Sequence, residues 1–399
     1  MRPGTVPLMR FLHTSDWHLG RRFHGEDLIP AQRAFLDHLI EAARAEHAEA
    51  VLVAGDLYDR AIPPLDAVRL FGEALERLAG LGIPTIMISG NHDSAHRLGV
   101  GSALLARAGV HLLTDPAACA VPVLLRDAHG PVAVYGIPYL EPSLVRATLG
   151  APMPSHQAVL GAALDRIRAD LATRPAGTRS VVLAHAFVTG ALTTDSERDI
   201  SVGGVPSVPA RLFDGIDYAA LGHLHRPQRV TDRVRYSGSP LPYSFSEAGQ
   251  PKSLLLVDLA PDAAVSVTGL PCPLPRPLAR LRGTLEELLT DPAHEAATEA
   301  WTQITLTDPA LPPEAMARLR RRFPHTLQLQ HEPPPGQRRP AARYGESIRG
   351  RDDLDIAREF VAHARGSAPS EEEARLLAEA FEAVRPEFAG EPDPRGKTA

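Results

Sequence analysis

Two cysteines, Cys119 and Cys272, are all that the 399 residues carry. They lie far apart and in no CxxC pattern, which excludes a disulfide framework and a thiolate zinc site. Two reduced thiols in or near a core are what remains. No apolar run approaches the ~20 residues that span a bilayer. The opening MRPGTVPLMRFLHTSDWH has no signal-peptide hydrophobic region before charged residues begin. A cytoplasmic protein with no membrane partner is therefore expected. An excess of positive charge is also lacking: the net charge is -6, and lysine is scarce beside arginine. That is not the global signature of a free-standing nucleic-acid binder, so contact with a polyanion would need a local basic patch, a metal or a partner. What is present is a hydrophobic content of 44%, enough for a sizeable core, and a length that allows two to three domains.

The first half alternates strand and helix. Residues 10–16, 48–56 and 83–93 read as short apolar strands that run into polar loops. Between them, residues 31–47 and 65–82 repeat apolar side chains at helical spacing. This β-α-β-α-β order predicts a layered α/β domain with its chemistry at the C-terminal ends of the strands. Further strands are expected over 132–138, 180–186, 217–223, 233–239 and 253–259. They are less separated by helices, which predicts a second sheet packed on the first. Proline-rich stretches at 270–280 and 333–343 read as linkers around a small α+β domain, 278–332. Two amphipathic helices follow, over 353–365 and 370–385, the second opened by a Ser370/Glu373 capping box. Such a pair must dock on its own body or on a partner; the pattern leaves both open.

Five clusters of ligand-type residues sit where strands end. They are Asp16 and His18 in SDWHLG, Asp56 and Asp59 in GDLYDR, Asn91, His92 and Asp93 in GNHDS, His185 in AHA, and His223 and His225 in GHLH. Each alone has an ordinary reading as a turn, a solvated loop or a satisfied core histidine. Together they are costly to bury unless a cation neutralises them. Carboxylate, imidazole and amide donors without thiolate suit Mn, Fe or Zn in a hydrolytic site. Their number exceeds the needs of one ion and suits two, held ~3.5–4 Å apart.

The series Asp-x-His, Gly-Asp-x-x-Asp, Gly-Asn-His-Asp, His, Gly-His-x-His resembles that of the calcineurin-like metallophosphoesterases. TSDWHLGR, GDLYDRAIPP, SGNHDS and YSGSPLPYSFSE (236–247) are similar, within them, to the SbcD subunits of bacterial SbcCD nucleases. The resemblance covers about 9–270 and implies a four-layer α/β/β/α sandwich. It implies that Asp16, His18 and His225 hold one metal and that Asn91, His185 and His223 hold the other. Asp56 would bridge the two, and His92 would act on the scissile phosphate without binding metal. Asp59 and Asp93 would support these groups from behind. The implied cofactors are two divalent ions, Mn2+ above others.

The implied activity is DNA phosphodiester hydrolysis in repair, recombination and replication, as an exonuclease on duplex ends and an endonuclease on hairpins and single strands. The implied partners are DNA and an SbcC-like ATPase, with a homodimer inside a heterotetramer near the nucleoid. By position, 278–332 corresponds to a DNA-capping domain. The helical pair, 346–388, corresponds to the ATPase dock around Phe360, Val361, Leu377 and Phe381. Arg318, Arg320, Arg321 and Arg322 form a basic stretch that could touch DNA or simply be a solvated helix face. Two other functions share the motif series or the fold: a small-molecule or nucleotide phosphodiesterase, and a non-catalytic scaffold. All seven ligand positions are filled, which weighs against the scaffold.

Overall fold

The computed structural model describes residues 8–197, 207–334, 352–365 and 368–388. Their chain divides into two compact units. One holds the residues up to Arg280 together with Ala296–Gln303; the other holds Leu281–Glu295 and the residues from Ile304 onward.

The first unit is built on two six-stranded sheets. In spatial order the first runs Val265–Pro271, Ser253–Leu259, Met9–Thr14, Ala50–Ala54, Thr85–Ile88, Val110–Leu113. Its last four strands are parallel, and Ser253–Leu259 closes on Met9–Thr14 antiparallel. The second runs Gln228–Arg229, Val234–Tyr236, Tyr218–Gly222, Arg179–His185, Gly130–Ile137, Val123–Asp127, again with four parallel strands at its centre. Parallel strands buried on both faces need near-continuous apolar runs. Ala50–Ala54 and Tyr218–Gly222 have them: every residue is buried.

Three cores follow from this. Phe11, Leu52, Ile86, Val134, Leu183 and Val257 belong to a layer shared by the two sheets. Phe35, Leu36, Leu39 and Leu70 pack helices Ile29–Ala45 and Leu65–Ala79 on the outer face of the first sheet. Val159, Leu160, Ala163 and Ile167 pack helix His156–Ala172 on the second. The order is α/β/β/α, as expected. That last helix and the strands at 110–113, 123–127 and 265–271 were not anticipated. The proline-rich stretch 270–280 also shortens, because strands occupy both of its ends.

The second unit carries a three-stranded sheet, Leu278–Gly283, Trp301–Leu306, Thr326–His331, whose first two strands begin in residues of the first unit. Helices Leu285–Thr290 and Ala315–Arg322 complete the small domain. Most of the second linker, 335–343, and the start of the helical region, 346–351, lie outside the described residues. Helices Asp353–Arg365 and Glu371–Phe388 follow. The capping box is formed: Glu373 Oε2 accepts from Ser370 N at 2.7 Å and Ser370 Oγ from Glu373 N at 3.3 Å. No described helix is long and apolar enough to cross a membrane. Cys119 and Cys272 are buried free thiols.

One buried ion pair ties the edge of the second sheet. Arg179 donates to Asp127 Oδ1 at 2.6 Å and to Leu259 O of the first sheet at 3.4 Å. The side chains are only 3% and 4% exposed. Burial works against the Asp127 charge, but Arg179 outweighs it and holds the carboxyl below its ordinary value. Removing one partner strands a buried charge, so Asp127→Asn should destabilise the protein by about 3–5 kcal/mol at neutral pH. A depressed native pKa contributes stability above the ordinary value of 3.8 and loses it as pH falls through the native value. Urea denaturation at pH 7 and at pH 2 tests this. Equal losses for wild type and variant across that range would show that the pair contributes nothing.

Candidate metal centre and active site

Strand ends from both sheets converge on one place. Met9–Thr14 leads into Asp16 and His18, Ala50–Ala54 into Asp56, and Thr85–Ile88 into Asn91 and His92. From the second sheet, Arg179–His185 ends on His185, and Tyr218–Gly222 leads into His223 and His225. The backbone is contorted to achieve this. Among the described residues eight non-glycine residues have positive φ, and four of them are Asp16 (54°), His18 (45°), Asp56 (50°) and His223 (101°). Such conformations cost about 1–3 kcal/mol each and persist only where surrounding bonds enforce them. Here Asp16 N donates to Gly55 O at 3.0 Å, His18 N to Asp56 O at 2.9 Å, and His223 N to Asp16 Oδ1 at 3.0 Å.

The seven candidate ligands lie in two groups that overlap at Asp16, which also brings a carboxylate oxygen within 4.8 Å of ligand atoms of Asp56 and His185. Asp16, His18 and His225 bring ligand atoms within 4.8 Å of one another, all three residues buried. The Nε2 atoms of His18 and His225 are 3.0 Å apart. In the other group Asn91 Oδ1 lies 2.9 Å from His185 Nε2 and 3.2 Å from His223 Nδ1. Asp56 Oδ2 stands between the groups, 3.6 Å from His18 Nε2 and 3.4 Å from His185 Nε2.

Burial governs the charges. It keeps His18 and His225 well below the ordinary imidazole value and takes His223 down to about 3, so all three offer lone pairs rather than charge. It also lifts Asp16 to about 7. Asp56 stays well below the ordinary carboxylate value because His185 and His18 override its burial. At His185 burial opposes the charge, but Asp56 and Asp16 push the imidazole up to about 9. The protein's own cation thus goes where the carboxylates demand one. His18 Nδ1 is buried and finds no hydrogen-bond partner. Oxygen and imidazole donors, without thiolate, fit hard to borderline divalent ions.

The supporting groups are placed as follows. Asp93 accepts backbone N–H bonds from Leu57 (3.1 Å), Tyr58 (2.9 Å) and Gly90 (2.9 Å), pinning the Asp56 loop to the Asn91 loop. His92 donates from N to Asp56 Oδ1 at 2.8 Å, and its Nδ1 faces Asp59 O at 2.7 Å. A carbonyl only accepts, so Nδ1 carries the proton and Nε2 is left for other work. It is the Asp59 main chain, not its carboxylate, that orients His92. The carboxylate lies 3.7 Å from both His18 Nδ1 and Arg21 Nη1.

Sequence reasoning missed three arginines. Arg21, Arg22 and Arg60 line a cleft of about 750 Å³ together with Asp59 and His92. Their signal was adjacency: each follows a ligand motif, in HLGRR and GDLYDR. The Arg318–Arg322 stretch is more divided than its sequence suggests. Arg320 donates to Thr326 O, and Arg322 to Leu288 O and Asp291 O, closing the small domain on itself. Arg318 and Arg321 are exposed. On the helical pair Phe360 is exposed, while Val361, Leu377 and Phe381 are half-buried.

Residues 9–227 match the calcineurin-like phosphoesterase family, more than half of the chain. The chain belongs to the calcineurin-like phosphoesterases. Residues 274–365 of this phosphoesterase match the SbcD C-terminal domain family, described as type 5 capsule protein repressor C-terminal domain. The two matches together make it SbcD-like. The second match runs from the small domain across the linker into helix Asp353–Arg365. Among solved structures, TT1561 of Thermus thermophilus is 14% identical over 66% of this chain and 99% of its own, with a TM-score of 0.40. A dimetal phosphatase from Danio rerio is 14% identical over 66% and 96%, with a TM-score of 0.39. Both likenesses are too slight to argue from. The family hydrolyses phosphoesters with divalent metals, and the donor set above suits them.

Gly222 and Gly90 let the phosphoesterase close its site. A Cβ on Gly90 would fall 2.1 Å from Asp56 Oδ1, and one on Gly222 would fall 1.9 Å from Ala54 O. The second obstacle is backbone of the facing sheet and cannot swing aside. Gly222→Ala should therefore destabilise the protein by about 3 kcal/mol, read from the urea midpoint. An unchanged midpoint would mean the sheets do not meet there.

Proposed function

We propose that this chain is the nuclease subunit of an SbcCD-type complex, cleaving DNA phosphodiester bonds with two Mn2+ ions. Asp16, His18 and His225 would hold one ion, Asn91, His185 and His223 the other, and Asp56 both. Bound there, the ions supply Lewis acidity and an activated water. The chain's own contribution is positional. Arg21, Arg22 and Arg60 would bind phosphate oxygens, and His92, as an imidazolium with Nδ1–H held on Asp59 O, would give its Nε2 proton to the leaving 3′ oxygen. The cleft is the observation that carries the DNA reading. In a chain of net charge -6, three arginines border the residue proposed to act on the phosphate. A polyanion draws on such a patch through release of its counterions.

His92→Gln should abolish DNA cleavage, a fall of about 100-fold or more, while both ions stay bound. Asp56→Asn should lose ions and cleavage together. The Arg22→Ala, Arg60→Ala pair should reduce the salt slope of DNA binding by about 2. The measurement is cleavage of hairpin and duplex DNA across Mn2+, Mg2+ and Zn2+, with and without an SbcC-like ATPase and ATP. Cleavage of a chromogenic phosphodiester but of no DNA, even with the ATPase, would defeat the nuclease reading.

Two surfaces suit the proposed partners. The helical pair presents Phe360 and Leu376, 57% and 53% exposed, to an ATPase. A groove lined by Val68, Phe71, Leu98 and Val100 suits a second copy, with Leu65 and Leu104 also exposed in the same 60–110 region. Light scattering separates the two roles. Deleting residues 346–399 should remove the ATPase mass and keep the dimer, and Val68→Glu with Leu104→Glu should leave a monomer. Unchanged masses would refute the assignments.

A further inference from the structure

The stretch YSGSPLPYSFSE, residues 236–247, contains none of the proposed ligands, yet it wraps closely behind two of them. The Tyr243 ring lies 5.3 Å from that of His18 and 5.6 Å from that of His225. Its hydroxyl donates to Trp17 O at 2.5 Å. Ser239 N donates to His225 O at 3.1 Å.

Behind His225 lies a closed ring of hydrogen bonds. His225 Nδ1 is 2.6 Å from Ser196 Oγ, and Ser196 Oγ donates to Glu247 Oε1 at 2.7 Å. Glu247 Oε2 is paired with Lys252 Nζ. Lys252 Nζ then returns to His225, donating to its carbonyl at 2.7 Å, and to Ser239 Oγ at 2.9 Å. Tyr243 N also donates to Glu247 Oε1 at 3.1 Å. Ser196, Glu247 and Lys252 are 8%, 1% and 2% exposed. Lys252 is one of only two lysines in the chain. Burying an ion pair adds little stability by itself and often costs some, so its place here calls for another reason.

The direction of the protons supplies one. A carboxylate only accepts hydrogen bonds. Thr194 Oγ1 also approaches Ser196 Oγ, at 2.8 Å, but a charged acceptor holds a hydroxyl proton more strongly than a neutral one. The Ser196 proton therefore points to Glu247, and Ser196 must accept from His225. That places the proton of neutral His225 on Nδ1 and leaves the lone pair on Nε2, the atom that faces His18 and Asp16. Glu197 Oε1 adds a bond from His225 N at 2.8 Å, so the residue is held by main chain and ring together.

We propose that Ser196, Glu247 and Lys252 are positioning residues that set the His225 tautomer and aim its Nε2 at the ion held with Asp16 and His18. This rests on the reading of His225 as a metal ligand. Partners behind ligating histidines are worth about 10–100-fold in metal affinity.

The test is calorimetric titration of the metal-free full chain with Mn2+ alone, checked by electron paramagnetic resonance for the coupled ion pair. Wild type should bind two ions. Ser196→Ala should weaken one of them by about 10–100-fold and leave the other within about threefold. Ser196→Thr, which keeps the hydroxyl, should restore wild-type affinity. Thermal melting of the metal-free variants should match wild type. If Ser196→Ala does not fold, Glu247→Gln is read in its place and should weaken the same ion. Wild-type affinities in the variant used would overturn the proposal. So would Ser196→Thr losing as much as Ser196→Ala, since space and not the hydroxyl would then matter. Wild type binding no Mn2+ would instead overturn the metal reading beneath it.

Discussion

Asp16 ends a strand of one sheet and accepts the backbone N–H of His223, which follows a strand of the other, with neither residue open to water. A second bond, this time from a side chain of the second sheet, runs beside it: His185 Nδ1 donates to Ala54 O of the first sheet at 2.9 Å. These two bonds stitch the C-terminal edges of the sheets together. Each side chain also belongs to a different proposed ion site, so the bonds that join the sheets hold the two sites in register. Gly222 and Gly90 are small because the seam leaves no room for a side chain. The positive φ values of Asp16, His18, Asp56 and His223 are tolerated because the same seam enforces them.

The electrostatic consequence is a site that asks for cations. Buried Asp16 and Asp56 and half-buried Asp93 lie near one another, and removal from water pushes the carboxyls of Asp16 and Asp93 up to about 7. Burial keeps the imidazoles of His18, His223 and His225 neutral, while Asp56 and Asp16 push His185 up to about 9. Divalent ions would relieve that imbalance. The remaining polar work is done by backbone groups, such as the three N–H bonds to Asp93 and the Asp59 carbonyl behind His92. Those contacts set geometry without adding charge.

His13 makes an instructive contrast. It too is fully buried near the seam, and burial takes it down to about 3. Its Nδ1 meets Tyr218 OH at 2.9 Å and its Nε2 meets Leu221 O at 3.2 Å. Both nitrogens are satisfied, so it joins the sheets and has nothing left for an ion. It lies inside a strand rather than at its end, outside the five clusters.

Much was legible in the sequence. Apolar runs marked most strands, helical spacing marked the helices at 29–45 and 65–79, and the five clusters at strand ends named the candidate ligands. These are local signals, because strand ends and loop residues are neighbours in the chain. Helix His156–Ala172 was missed because its alanine-rich surface blurs the contrast between its faces. The cleft arginines were missed because nothing local says that residues 21, 22 and 60 share a wall. The ring behind His225 was out of reach altogether. Ser196 stands 29 residues before His225, Lys252 27 residues after it, and only the closure of one sheet on the other brings them together. The chain by itself determined which residue types stand at each strand end, because that is local chemistry. Which atom of each histidine is free, which carbonyl orients His92 and which lysine is buried were decided by the tertiary structure, because those depend on partners distant in sequence.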